Sequence, residues 1–177
     1  MQTALRFPFP RRLQRERDPH REFAFLERRF SPRTVFMDVG SPDCELALQA
    51  AGYVERVYAV DVSGQFLQTV LVPLNLRLVL CGGVRIPVPE ASVDVAFSGG
   101  FIDQLHADDA REHLLSVLRT LASGGTYICK SNFPQQLRRT MRAAGFRAVA
   151  CYAGALRVPW ALAGLVPQAL LRIVATR

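Results

Sequence analysis

The stretch "VFMDVGSPDCELALQAAGYVERVYAVDVS", Val35 to Ser63, decides the fold. An apolar, strand-like run ends at Gly40, a helical stretch follows, and a second apolar run ends at Asp61. A strand that closes in a glycine turn and feeds a helix brings backbone N–H groups and the positive helix end to the carboxyl edge of a sheet. Open α/β folds bind ligands there. An acid at the tip of the next strand, about 20 residues on, offers a carboxylate to two ribose hydroxyls. Gly40 and Asp61 occupy those two positions. The dinucleotide fingerprint GxGxxG needs its later glycines so that backbone can approach a pyrophosphate, and "GSPDCE" keeps only the first. The stretch therefore reads either as another kind of nucleotide-cofactor site or as the shell of one that binds nothing.

Working outward, apolar β-branched runs alternate with helical periodicity, which is the pattern of a mostly parallel sheet covered on both faces. The fold class expected is Rossmann-like α/β, with seven strands: 34–39, 56–62, 77–80, 93–98, 126–130, 146–152 and 170–176. Helices are expected over 44–51, 64–72, 108–121 and 134–144. The third starts beside Asp108 and Asp109 as N-cap candidates and stops at Ser123–Gly125. Residues 1–33 read as an arginine-rich helical arm and 34–177 as one domain, a size suited to a single core. The apolar segment 155–168, broken by Pro159 and Pro167, is too short to span a bilayer and is expected to be a buried connection. Its alternatives are a pocket wall or a dimer surface around Trp160.

The formal charge is +7, from 22 basic residues of which only Lys130 is lysine. That bias points to a GC-rich, bacterial source. In the arm, Glu16, Asp18, Glu22 and Glu27 alternate with arginines as on a solvated, salt-bridged surface helix. It lacks interleaved aromatic platforms, which argues against nucleic acid. Acids in the arm argue against a transit peptide and no apolar signal opens the chain, so a cytoplasmic protein is expected. Cys44, Cys81, Cys129 and Cys151 are far apart and form no CxxC pair; with three histidines in the chain, neither a disulfide framework nor a metal site is expected.

The span Thr34 to Arg177 resembles the class I S-adenosylmethionine (SAM)-dependent methyltransferase family in motif order and spacing. The family's first strand ends DxGxGxG, where this chain has Asp38, Gly40, Pro42 and Cys44, and its second-strand acid matches Asp61. "LVLCGGVRIPVPEASVDVAFS" is similar to the family's third-strand turn, proline-bounded loop and fourth strand, with Ile86, Pro87, Pro89 and Asp94 in place. "VLRTLASGGTYICKS" and "MRAAGFRAV" match the next two helix–strand units. Gly82 stands where many relatives carry an acid, Gln104 where many carry a histidine, and Pro42 has no N–H to donate.

The resemblance implies SAM as cofactor, held by Asp38, Gly40, Ser41, Asp61, Val62, Gly82 and Gly83, with Ser98 and Gly99 beneath the methionine end. It implies methyl transfer to a small-molecule or metabolite acceptor, with Asp103 or His106 as general base after the fourth strand. Lys130, closing the fifth strand, is a further candidate to face the acceptor. Methyl transfer depends chiefly on placing the acceptor in line near the methyl carbon, so no fixed catalytic set is required. The small lid fits an open site or a pocket completed by a second subunit as a homodimer. The rival readings are a catalytically inactive methyltransferase-like binding or assembly protein, an RNA methyltransferase recruited by its basic arm, and a SAM-binding protein with a non-methylating reaction.

Overall fold

The computed structural model describes residues 19–40, 43–61 and 72–177. The expected strand end at Val62, the expected helix 64–72 up to its last residue, and the candidates Ser41, Pro42 and Val62 lie outside the described residues.

Strands β1 (Val35–Val39), β2 (Arg56–Asp61), β3 (Leu76–Leu80), β4 (Val93–Ser98) and β5 (Leu121–Cys129) run parallel, and β6 (Ala148–Ala153), β7 (Leu156–Val158) and β8 (Leu171–Thr176) complete one sheet in the order β3-β2-β1-β4-β5-β8-β6-β7. β8 enters antiparallel between β5 and β6. Helices α1 (Pro19–Leu26) and α2 (Glu45–Ala51) share one face; α3 (Ala107–Thr120) and α4 (Pro134–Ala144) cover the other. The alternation that predicted strands is visible in their burial. Phe36, Val57, Ala59, Val95 and Phe97 pack toward α1 and α2, while Met37, Val39, Tyr58, Val60 and Ala96 pack toward α3 and α4. Because the chain leaves β3 and crosses to β4 on the far side of β1, the direction of winding reverses between β1 and β4, where such sheets open a crevice.

The α/β architecture stands as expected, with five local differences. An eighth strand, β7, pairs with β6 in a segment the sequence offered as a buried connection. That segment is largely exposed: Leu156 is 75% and Leu165 is 81% accessible, while among its described side chains Ala163 is buried and Val158, Trp160 and Val166 are partly so. β5 begins at Leu121 rather than after the glycines, because α3 ends at Thr120 and Ser123–Gly125 lie in a shifted register between the Val93 and Val95 pairings. His106, in extended backbone, is the N-cap of α3, with Asp108 and Asp109 inside the first turn, where they complement the helix dipole. Finally, Glu22 is not solvated: it is 3% exposed, beside buried Phe23, Phe25 and Leu26, so α1 is docked on the sheet.

Candidate active site

The carboxyl tips of β1, β2, β3 and β4 meet at the reversal point, and backbone hydrogen bonds tie them together. Gly40 N donates to Val60 O at 2.8 Å, Cys81 N to Asp61 O at 3.0 Å, and Lys130 N, past β5, to Ser98 O at 3.1 Å. Two glycines frame the corner for a steric reason. Gly40 (φ +74°) and Gly83 (φ +72°) are left-handed, and a Cβ on either would strike Phe101, at 2.9 Å from its Cβ and 2.7 Å from its Cε1 respectively. The Phe101 ring thus fills the floor between the β1 and β3 turns, and only glycine fits above it. Gly82, by contrast, is exposed and faces open space.

The turn after β1 keeps a feature its sequence disguises. Cys44, standing where the family has a third glycine, is itself left-handed at φ 52° and buried. Its thiol is pushed up to about 12, mainly by burial and then by Asp38, Asp61 and Asp43. The thiol therefore stays protonated and is a poor nucleophile. Asp38 is fully buried in β1, and Asp61 is half-buried at the tip of β2.

Behind the corner lies a buried polar column. His113 Nδ1 donates to Gly83 O at 2.6 Å, which leaves Nε2 to accept from the Tyr127 hydroxyl at 3.1 Å. Burial lowers His113 to about 4, so the imidazole is neutral, and burial raises Tyr127, so its hydroxyl keeps the proton it donates. The loop leading to β4 is fixed as well: Arg119 donates to Ile86 O and Val88 O at 2.7 and 2.9 Å, and Ile86 N donates to Ser116 Oγ.

Past the tip of β4, both Asp103 oxygens are engaged. Ser131 Oγ donates to Oδ1 at 2.5 Å and Asn132 N to Oδ2 at 2.6 Å, which joins the β4 tip to the β5–α4 connection. His106 and Gln104 are exposed. Ser98 is buried and Gly99 half-buried at the tip of β4. Lys130 Nζ lies 3.1 Å from Glu22 Oε1, and Glu22 Oε2 accepts from Arg172 Nε at 2.9 Å, so α1 is held to β5 and β8 by a buried ion cluster.

Asp38, Gly40, Asp61, Gly82, Gly83, Ser98 and Gly99 thus share one edge of the sheet, as the sequence led one to expect. Sequence reasoning missed Phe101, Asp43, His113, Tyr127, Glu22 and Arg172. His113 was visible as a titratable residue opening "HLLSVL" on the apolar stripe of α3, and Glu22 as an acid one position before the apolar run Phe23–Leu26. Nothing local marks Arg172, whose role exists only after β8 inserts beside β5. Among the described residues no helix is long and apolar enough to cross a membrane, and no group of three metal-ligating side chains assembles.

A family model described as a methyltransferase domain matches residues 37–129, more than half of the 177. No curated protein sequence matches the chain. Among solved structures, the fold is similar to a chain of the complex between the Haloferax volcanii Trm112 methyltransferase activator and a methyltransferase, at 18% identity and TM-score 0.69, covering 93% of both chains. It is also similar to an Aquifex aeolicus SAM-dependent methyltransferase, at 16% identity and TM-score 0.63, covering 95% of this chain and 98% of that one. A Haemonchus contortus phosphoethanolamine N-methyltransferase, in complex with phosphomonomethylethanolamine and S-adenosylhomocysteine, aligns at 19% identity and TM-score 0.64 over 75% of this chain and 38% of its own.

Proposed function

Because the chain belongs to the methyltransferase-domain family, whose cofactor is SAM, we propose that it methylates a small-molecule or metabolite acceptor, with SAM seated on the corner formed by the β1, β2, β3 and β4 tips. The observation that carries this reading is the glycine-framed floor of Phe101 between the β1 and β3 turns, with Asp38 buried in β1 and Asp61 half-buried at the tip of β2. An acidic corner suits a cofactor that is cationic at sulfur and presents an ammonium and ribose hydroxyls as donors. When bound, the cofactor supplies an electrophilic methyl group on a positively charged sulfur.

The chain's own residues then divide by task. Asp61 is assigned the ribose hydroxyls and Asp38 the amino-acid end of the corner, with Gly40, Gly82, Gly83, Ser98 and Gly99 offering backbone at the same sheet edge; Ser41 and Val62, also assigned to the cofactor, lie outside the described residues. The Cys44 thiol, held protonated, does not compete with the acceptor for the methyl group. Asp103 positions the acceptor wall by fixing the Ser131–Asn132 turn, and His106, exposed at the head of α3, is the titratable group free to act as general base.

Calorimetric titration of the chain with S-adenosylhomocysteine tests the cofactor assignment. Micromolar binding that weakens at least about tenfold in Asp61→Ala is expected, as for loss of charge-assisted hydrogen bonds. No heat at millimolar ligand would refute it.

A further inference from the structure

The ion cluster beneath α1 carries more cation than it needs to hold the helix. Among the described residues, Glu22 is the carboxylate paired with both Lys130 and Arg172; Glu22 and Arg172 are buried and Lys130 is partly buried, with side chains 4%, 1% and 13% exposed. Counted over these three side chains, one negative and two positive charges leave a net +1. Arg29 adds to that field, because its guanidinium and that of Arg172 both lie over the Phe25 ring, at 4.5 and 4.8 Å from the centroid. A buried charge left without an opposite charge is costly, and proteins retain such an imbalance where a ligand restores neutrality.

The donors are unequally used. Arg172 Nε donates to Glu22 and Nη1 to Leu170 O, whereas Nη2 is buried with no hydrogen-bond partner among the described residues. Lys130 has three N–H donors and gives one to Glu22. A guanidinium edge and an ammonium that face a shared carboxylate match the oxygens of one further anion. Place points the same way. Cys129 pairs with Ile173, which sets Lys130 and Arg172 side by side at the carboxyl edge of β5, and Lys130 N is bonded to Ser98 O at the tip of β4. Next along the chain comes the Ser131–Asn132 turn fixed by Asp103. Lys130 is the most accessible of the three side chains.

We propose that the α1–β5–β8 seam is an anion subsite, in which Lys130 and Arg172 receive a carboxylate or phosphate group of the acceptor. The word acceptor rests on the methyltransferase reading; the anion site does not. Glu22 has two roles here: it fixes both cations in place and, by its charge, limits how tightly the anion is held.

The test uses the full chain, with the Arg172 Nε–H resonance as reporter, titrated separately with inorganic phosphate and acetate at constant ionic strength. A saturable shift with a midpoint in the millimolar range is expected for at least one of them, and the tighter of the two identifies the headgroup. Lys130→Met should weaken that binding about tenfold or more, the size of a lost charge-assisted bond. Glu22→Gln is isosteric, keeps one of the two accepting oxygens, turns an NH2 donor toward the other cation and raises the net charge of the three groups to +2, so cation donors are released to the anion and binding should tighten several-fold. A cluster that is only a lock for α1 predicts the opposite for Glu22→Gln and no change for Lys130→Met; either result, or a shift that never saturates, overturns the subsite. S-adenosylhomocysteine affinity should stay within about twofold in Lys130→Met. Anion binding that follows these rules in a chain that fails to bind S-adenosylhomocysteine would uphold the subsite and remove its assignment to a methyl acceptor.

Discussion

The glycine-framed corner over β1, β2 and β3 and the ion-filled seam under α1 lie along the same edge of one sheet, but different forces shape them. The corner is set by exclusion: Gly40 and Gly83 are where they are because Phe101 leaves no room for a Cβ. The seam is set by charge, with Lys130, Glu22 and Arg172 brought out of water to face each other. A shape-defined site fails on adding a methyl group, as at Gly40 or Gly83. A charge-defined one tolerates changes of volume and fails on losing a proton acceptor. Under the proposed function, the nucleotide belongs where backbone must come close and the acceptor where side-chain charge can be retuned.

The largest expected effect breaks the seam. Glu22→Ala leaves Lys130 and Arg172 buried without their carboxylate, and urea unfolding should register a loss of about 4 kcal/mol. Gly83→Ala should break the corner at a cost of about 3 kcal/mol, combining the left-handed penalty with the clash against Phe101; Phe101→Leu in the same chain should return part of it, which a double-mutant cycle would read.

A third experiment sharpens the contrast through pH. His113 titrates near 4 when folded and near 6.5 when unfolded, so the unfolded chain binds the proton first. The stability that neutral His113 confers is complete above about 6.5 and is lost as pH falls toward 4. The wild type should lose up to about 3 kcal/mol across that window relative to His113→Gln, in unfolding curves run on both. The smallest effect belongs to Gly82→Ala: with open space at that position, stability should move by less than about 0.5 kcal/mol, so any loss of S-adenosylhomocysteine affinity reports contact with the ligand alone.

What the sequence disclosed and what it hid follow the same division. The strands and the Gly40–Asp61 pairing were legible because alternation and a turn residue are local signals, carried within a few positions of "VFMDVG" and "VYAVDVS". α4 was bounded correctly by Pro134 at its start and Gly145 after its end. The α3–β5 junction was misread because "SGG" looks like a helix stop, although it sits within a shifted strand pairing that depends on β4. Glu22 looked like one of several arm acids, and its burial depends on Arg172, 150 residues away. The segment 155–168 was read as buried because apolar composition implies a cover that the described residues do not provide for Leu156, Leu162 and Leu165. Local chemistry could be read directly; partners supplied by topology could not.

Trp160 is the single tryptophan of the chain, its indole Nε1 donating to Val149 O at 3.3 Å with Arg138 4.8 Å from the ring centroid. The molecule therefore carries one indole that can be excited selectively, at the long-wavelength edge of its absorption and apart from its tyrosines, seated at the junction of α4 and β6 with a cation against its π face. Its emission reads the melting of that junction without a label, and a spectrum that holds steady while the Arg172 resonance moves would separate local occupancy from global rearrangement.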